Sequence, residues 1–192
     1  IYAAFLTPQG KYLFDFFIFK KNEEFLIECE KERLDDLLRR LKMFKLRSDV
    51  KLYNCSDEFQ IMAIWGHRVA YKNGLKNTPG LVKEIDESIL SVDPRSIKAG
   101  LRVIFRSNIE QIAMGHEVNF SEYDSHRLIL GLPDGSRDLI VDKTILLEAN
   151  FEEINGVDFN KGCYLGQEVT ARSKYRGLIK TCFVPFKFSG PD

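Results

Sequence analysis

Net charge is the first thing this sequence lacks. Its 192 residues carry 28 Lys and Arg against 28 Asp and Glu, so no global field draws the chain toward nucleic acid or an anionic membrane, and recognition of an anion has to be local. Cysteine is scarce. Cys29, Cys55, Cys163 and Cys182 form no C-x-x-C pair and stand near no histidines at zinc-ligand spacing, which excludes a metal knuckle and a thioredoxin motif and leaves reduced thiols as the simplest reading. His67, His116 and His126 fall in unlike contexts and do not suggest a metal site. Long apolar runs are missing too: a run such as Ile61 to Trp65 is far short of the ~20 residues that span a bilayer as a helix. No internal repeat or low-complexity tract is visible. The chain opens on Ile1 and closes on "FSGPD", as expected of a piece of a longer protein.

What is present is an ordinary globular composition, 44% hydrophobic and 29% charged with 15 Phe and 7 Tyr, which argues against disorder. Residues 1 to 28 predict a meander, with "TPQG" as a turn in which Pro8 presets φ and Gly10 is free to take a positive one, and "KKNEE" as a second turn. Leu34, Leu37, Leu38, Leu41 and Phe44 recur at helical spacing, so 31–47 predicts an amphipathic helix. Its basic side, Arg39, Arg40, Lys42, Lys45 and Arg47, is a solvated face or, on a rival reading, an RNA contact. Strands are predicted at Val50 to Tyr53, at Phe59 to Trp65 and on either side of Asp93-Pro94. Trp65, at the end of an apolar strand, is expected in the core. A helix at Glu122 to Leu130 stops at "GLPDG". Strands and helices without a regular βαβ rhythm point to an α+β fold with largely antiparallel sheet.

The chemistry concentrates in "FNKGCYLGQEVTARSKYRG", 159–177. Glycines at 156, 162 and 166 allow a tight backbone and close approach to a ligand; Gln167 begins a helix and Gly177 suits its stop. Cys163 then lies just ahead of a helix N-terminus near Lys161, with Arg172 further along, a setting that favours thiolate over thiol. From Lys161 to Lys187 there are six basic residues, Lys161, Arg172, Lys174, Arg176, Lys180 and Lys187, against the acid Glu168, which fits an anionic ligand. The plainer reading stands beside this one: Glu168 and Arg172 are a helical i, i+4 pair, and a lone cysteine is often only a small hydrophobe. The other cysteines, in "LIECE", "LYNCS" and "KTCFVPF", are expected to be buried.

"KGCYLGQEVTAR", Lys161 to Arg172, resembles the signature of the YgfZ family of folate-binding iron–sulfur cluster assembly factors, relatives of the glycine-cleavage T protein (aminomethyltransferase). "LTPQGKYLFDF", "DPR…GLRVIF", "YDSHRLILGLPDG" and "LLEANFEEINGVDFNKG" resemble the family in the same order. The resemblance implies a T-protein-like (GcvT/YgfZ) α+β fold with packed helices over 1–182, around a hole that binds tetrahydrofolate near the signature loop. It implies the start of a C-terminal β-barrel at 183–192, with the rest of the barrel and an N-terminal segment outside the chain. It implies a role in maturing iron–sulfur proteins, linked to tRNA modification in the bacterial branch, with iron–sulfur client or assembly proteins as partners, in the cytoplasm of bacteria or the mitochondrial matrix of eukaryotes. The alternative is a tetrahydrofolate-dependent aminomethyltransferase. Carried over by motif, Cys163 is the candidate reactive thiol, and Lys161, Gly162, Tyr164, Gly166, Gln167, Glu168 and Arg172 are candidate folate-binding residues. Where many relatives place an acid that can bind a pterin's amino-pyrimidine edge, "RLILG" has Ile129, which cannot make those bonds; Glu148, or an acid from the N-terminal segment outside the chain, is the substitute expected here.

Overall fold

The computed structural model describes residues 1–108, 115–177 and 179–187. Strands β1 (Tyr2–Leu6), β2 (Tyr12–Lys21) and β3 (Glu24–Cys29) form an antiparallel sheet in the order β1-β2-β3. Both of its turns follow the predicted chemistry. Gly10 sits at φ +73° and donates to Thr7 O at 2.9 Å; at the second turn Asn22 takes a left-handed φ of 53°, which asparagine tolerates.

β2 is the central strand, and its period-2 alternation buries both faces. Phe14 and Phe16 point into a cluster with Leu37, against which Ile18 and Leu41 pack, while Phe17 and Phe19 point the other way into the larger core with Tyr2, Ile89, Ile104 and Phe151. The covering helix is α1 (Leu34–Lys45), entered through a single tight turn at Lys31–Arg33. Its basic face is partly committed within the fold: Arg39 and Arg40 both pair with Asp36, and Arg40 also lies 5.8 Å from the centre of the Phe14 ring.

A second antiparallel sheet runs β4-β7-β6-β5, from β4 (Phe59–Ile64), β5 (Val82–Ile85), β6 (Ser88–Val92) and β7 (Leu101–Arg106). Leu90, Val92, Leu101, Val103 and Phe105 form their own cluster with Ala70 of the short helix α2 (Val69–Lys72), while Ile89 and Ile104 join the core shared with the first sheet. The strand expected at Val50 to Tyr53 does not form. Neither sheet offers that segment a neighbour, and Val50 and Tyr53 stay exposed; a strand without a partner leaves its backbone groups to water.

Helix α3 (Phe120–Ile129) begins two residues earlier than its pattern suggested, because the Asn119 side chain accepts from Glu122 N at 3.1 Å and caps it. It ends before Gly131, at φ +68°. After the one-turn helix α4 (Gly135–Asp138), the irregular stretch to residue 166 leads into α5 (Gln167–Tyr175). Beyond α5 the chain returns along the body, where Phe183 N donates to Glu148 O at 2.9 Å and Asn150 Nδ2 donates to Phe183 O at 2.6 Å. Of the expected barrel start, 188–192 lie outside the described residues.

Candidate functional site

Two features stand out, and they are separate. The first is a cavity of about 1210 Å³ walled by Asp15, Phe16 and Phe17 of β2, Glu28 and Cys29 of β3, Gln60–Ile64 of β4, Trp65, Arg95, Arg102, residues 115–120 leading into α3, and Glu122 and Tyr123. β3 and β4 are edge strands of their sheets, so the cavity opens where neither sheet continues. Trp65 belongs to this wall rather than to a core cluster: it is only half-buried, with its indole stacked on the His126 ring at 5.2 Å and 14°.

Behind the wall lies a buried charge network that follows from strand phase. Asp15 shares a β2 face with Phe17 and Phe19, and Arg102 shares a β7 face with Ile104, so both charges are directed between the sheets. Arg95 grips Asp93 through Nε at 3.1 Å and Nη2 at 2.8 Å and donates to Pro133 O at 3.3 Å. Arg102 holds Glu28 through Nε at 3.0 Å and through Nη2, and places Nη1 3.8 Å from Asp93. Both guanidinium groups lie over Phe17, at 4.8 Å for Arg95 and 4.0 Å for Arg102. Burial pushes the Asp93 carboxyl upward, but Arg95, with Arg102 behind it, more than offsets this and holds it below the usual carboxylate value.

Asp15 is the opposite case. It accepts from Tyr12 at 2.7 Å and Tyr2 at 2.9 Å, yet burial raises its pKa further than those hydrogen bonds and the Arg95 charge lower it. Between its ordinary and its raised pKa the folded state holds more protons than the unfolded one, so stability falls as pH climbs through that window and stays lower above it. Asp15→Asn cannot ionise. Its stability relative to wild type should therefore improve from about pH 4 to pH 7, whatever constant offset the changed hydrogen bonds bring. Urea unfolding across that range checks this; a gap that does not move with pH would show that Asp15 ionises normally.

The second feature is the loop 158–166 with α5. Asn160, Lys161, Gly162 and Cys163 are consecutive exposed residues. A Cβ on Gly162 would meet nothing within 4 Å, so packing does not require that glycine. Gly166 differs: at φ +81° it caps α5, and a Cβ there would stand 2.8 Å from both Gly10 Cα and Thr7 O. The "TPQG" turn and the start of α5 are thus interlocked, with Val169 against Gly10, and Gly166 has a structural role. Gln167 Oε1 accepts from Tyr164 N at 3.4 Å and Gln167 N donates to Tyr164 O at 3.2 Å, closing the approach to the helix. The Tyr164 ring packs on the main core beneath the Lys161 ammonium, 5.0 Å away.

Two of the six basic residues are matched inside the fold. Arg172 pairs with Glu168 on exposed helix surface, an arrangement worth about 0.2–0.5 kcal/mol, and Lys174 pairs with Glu152 while lying 4.1 Å over Phe159. None of Lys161, Gly162, Cys163, Tyr164, Gly166, Gln167, Glu168 and Arg172 lines the cavity, and neither does Glu148, whose carbonyl instead receives the returning C-terminal segment. Ile129 is 76% exposed and outside the wall, so its side chain deprives the cavity of nothing. Asp15 is the half-buried acid that sequence reasoning missed, and its phase with Phe17 and Phe19 was the available signal. Among the described residues no group of three or more His, Cys, Asp or Glu side chains is placed to hold a metal ion, and no helix is long and apolar enough to cross a membrane.

The expectation that the other three cysteines are all sheltered needs correction: Cys182 is exposed like Cys163, whereas Cys29 and Cys55 are half-buried. Burial, with Glu28, Asp15 and Glu30 nearby, pushes the Cys29 thiol up to about 11; burial and Glu58 raise that of Cys55. Because the thiolate is the nucleophile, iodoacetamide at neutral pH should label Cys163 and Cys182 before Cys55 and Cys29. Peptide mapping reads the order, and early labelling of Cys29 would contradict it.

Fold and site together define an α+β protein with an aromatic, charge-lined cavity and a separate, solvent-presented thiol. The chain is similar to the iron–sulfur cluster assembly factor IBA57 homolog, mitochondrial, of Mycosarcoma maydis, at 33% identity over 98% of this chain and 46% of that protein. It is likewise similar to the mitochondrial iron–sulfur cluster assembly factors IBA57 of Mus musculus, at 31% over 99% of this chain and 54% of that protein, and of Homo sapiens, at 30% with the same coverages. The chain spans about half the length of these relatives. No protein-family model matches it.

Proposed function

We propose that the protein is an accessory factor in iron–sulfur cluster assembly that presents Cys163 to a partner. The observation that carries this reading is the exposed Lys161-Gly162-Cys163 loop, whose glycine answers to no packing demand. Similarity along nearly the whole chain to proteins named as assembly factors supports it. One thiolate supplies one soft ligand, so an iron–sulfur client or assembly protein provides the rest of the coordination. The mitochondrion is the proposed compartment, after the relatives' names. Cluster-dependent tRNA modification would be served indirectly. The test is complementation: in cells lacking the native factor, this protein should restore iron–sulfur enzyme activity, and failure to do so despite stable expression overturns the reading.

Tetrahydrofolate in the cavity is the second part of the proposal. Typical small-molecule pockets run to roughly 300–1,000 Å³, and about 1210 Å³ is ample. Phe17, Trp65 and Tyr123 in the wall suit flat rings, and Asp15 is a half-buried carboxyl suited to the amino-pyrimidine edge of a pterin. Bound there, the folate would supply a reduced pterin able to carry a one-carbon unit.

A further inference from the structure

We propose that the cavity selects a pterin by its ring system and gives no hold to a polyglutamate tail, so that affinity does not rise with the number of glutamates. The inference rests on the folate reading above and concerns what the walls do to the rest of that ligand. Seven carboxylates line the cavity against four Lys and Arg side chains. Three of those cations are already engaged: Arg95 by Asp93, Arg102 by Glu28, and Arg137 by Asp134 at 2.7 Å and Asp124 at 3.0 Å. Among the described residues only Lys31 of the lining cations is outside an ion pair. Glu32, Glu117 and Glu122 are exposed lining carboxylates that make no ion pair there. A tail leaving the aromatic floor therefore meets more free carboxylate than free cation. Each added glutamate brings like charge to that rim, and repulsion between exposed groups is relieved as salt screens it.

Calorimetry with tetrahydropteroate, tetrahydrofolate and its triglutamate tests this directly. The first two should bind within about threefold of each other, the triglutamate no more tightly than tetrahydrofolate, and added salt should strengthen triglutamate binding. Replacing the rim acids together, Glu32→Gln, Glu117→Gln and Glu122→Gln, should tighten triglutamate binding about tenfold and leave tetrahydropteroate unchanged. These side chains are exposed, so the variant should fold. Affinity that climbs with every glutamate and weakens with salt overturns the inference while leaving folate binding in place. No heat with any of the three compounds removes the folate reading, and the inference with it.

Discussion

Replacing Cys163 with serine is expected to leave the fold intact and to abolish support of iron–sulfur enzymes in cells lacking the native factor. The fold has no stake in the sulfur: Cys163 is exposed and its neighbour Gly162 faces open space. Surface changes of this kind move stability by no more than about 0.5 kcal/mol. Chemistry has a large stake, because iron in sulfide clusters prefers soft thiolate ligands and a serine hydroxyl is hard and not ionised at neutral pH. Cys182→Ser is the control. It removes another exposed thiol, from outside the "KGCY" loop, and should behave as wild type. The readouts are a thermal melt for folding and the activity of an iron–sulfur enzyme for function. A fully active Cys163→Ser protein would show that the loop acts through its backbone or its lysine.

The elements best read from the sequence are those whose signals are local. Gly10 in "TPQG" and the turn at Asn22 fix the first sheet's hairpins through backbone conformation alone. Likewise, the leucines of α1 find their cluster because every third or fourth residue returns to the same face. Gln167 to Gly177 is as legible, a helix between a glycine cap and a glycine stop. Val50 to Tyr53 shows the limit, since β propensity forms a strand only where a second strand pairs with it. The cavity was illegible for a related reason. Asp15, Glu28, Asp93, Arg95 and Arg102 come from separate parts of the chain and are joined only when the two sheets share a core, so each alone reads as a surface charge. In the signature segment Glu152, distant in sequence, takes up Lys174 and Glu168, one turn away, takes up Arg172, and of these two pairings only the second is visible in one dimension.

The largest stability effect is expected from Arg95→Met. The side chains of Arg95 and Asp93 are each 3% exposed, so removing the guanidinium leaves a carboxylate that water cannot reach. What would remain is the backbone N–H of residue 95, which donates to Asp93 Oδ1 at 2.9 Å, and Arg102 Nη1 at 3.8 Å, part of a guanidinium already engaged with Glu28 and, at 3.4 Å, with Tyr123. Pro133 O would lose its donor, Tyr2 the cation over its ring, and Phe17 one of its two. Breaking a buried pair from one side costs about 3–5 kcal/mol, a large share of the roughly 5–15 kcal/mol that holds a domain folded. The cost should depend on pH with a definite sign. In wild type the lowered pKa of Asp93 contributes stability that is present above the ordinary carboxylate value and lost as pH falls through the lowered one. Without Arg95 that contribution is gone, and protonation relieves the stranded charge, so the difference between variant and wild type should narrow toward about pH 4. Adding Asp93→Asn to Arg95→Met removes the charge outright and should recover part of the loss at neutral pH, keeping the test open if the single variant does not fold. Urea unfolding of the proteins at both pH values decides the matter: a single-variant cost below about 1 kcal/mol, or a double variant no more stable than the single one, would mean that the pair does not hold the cavity wall.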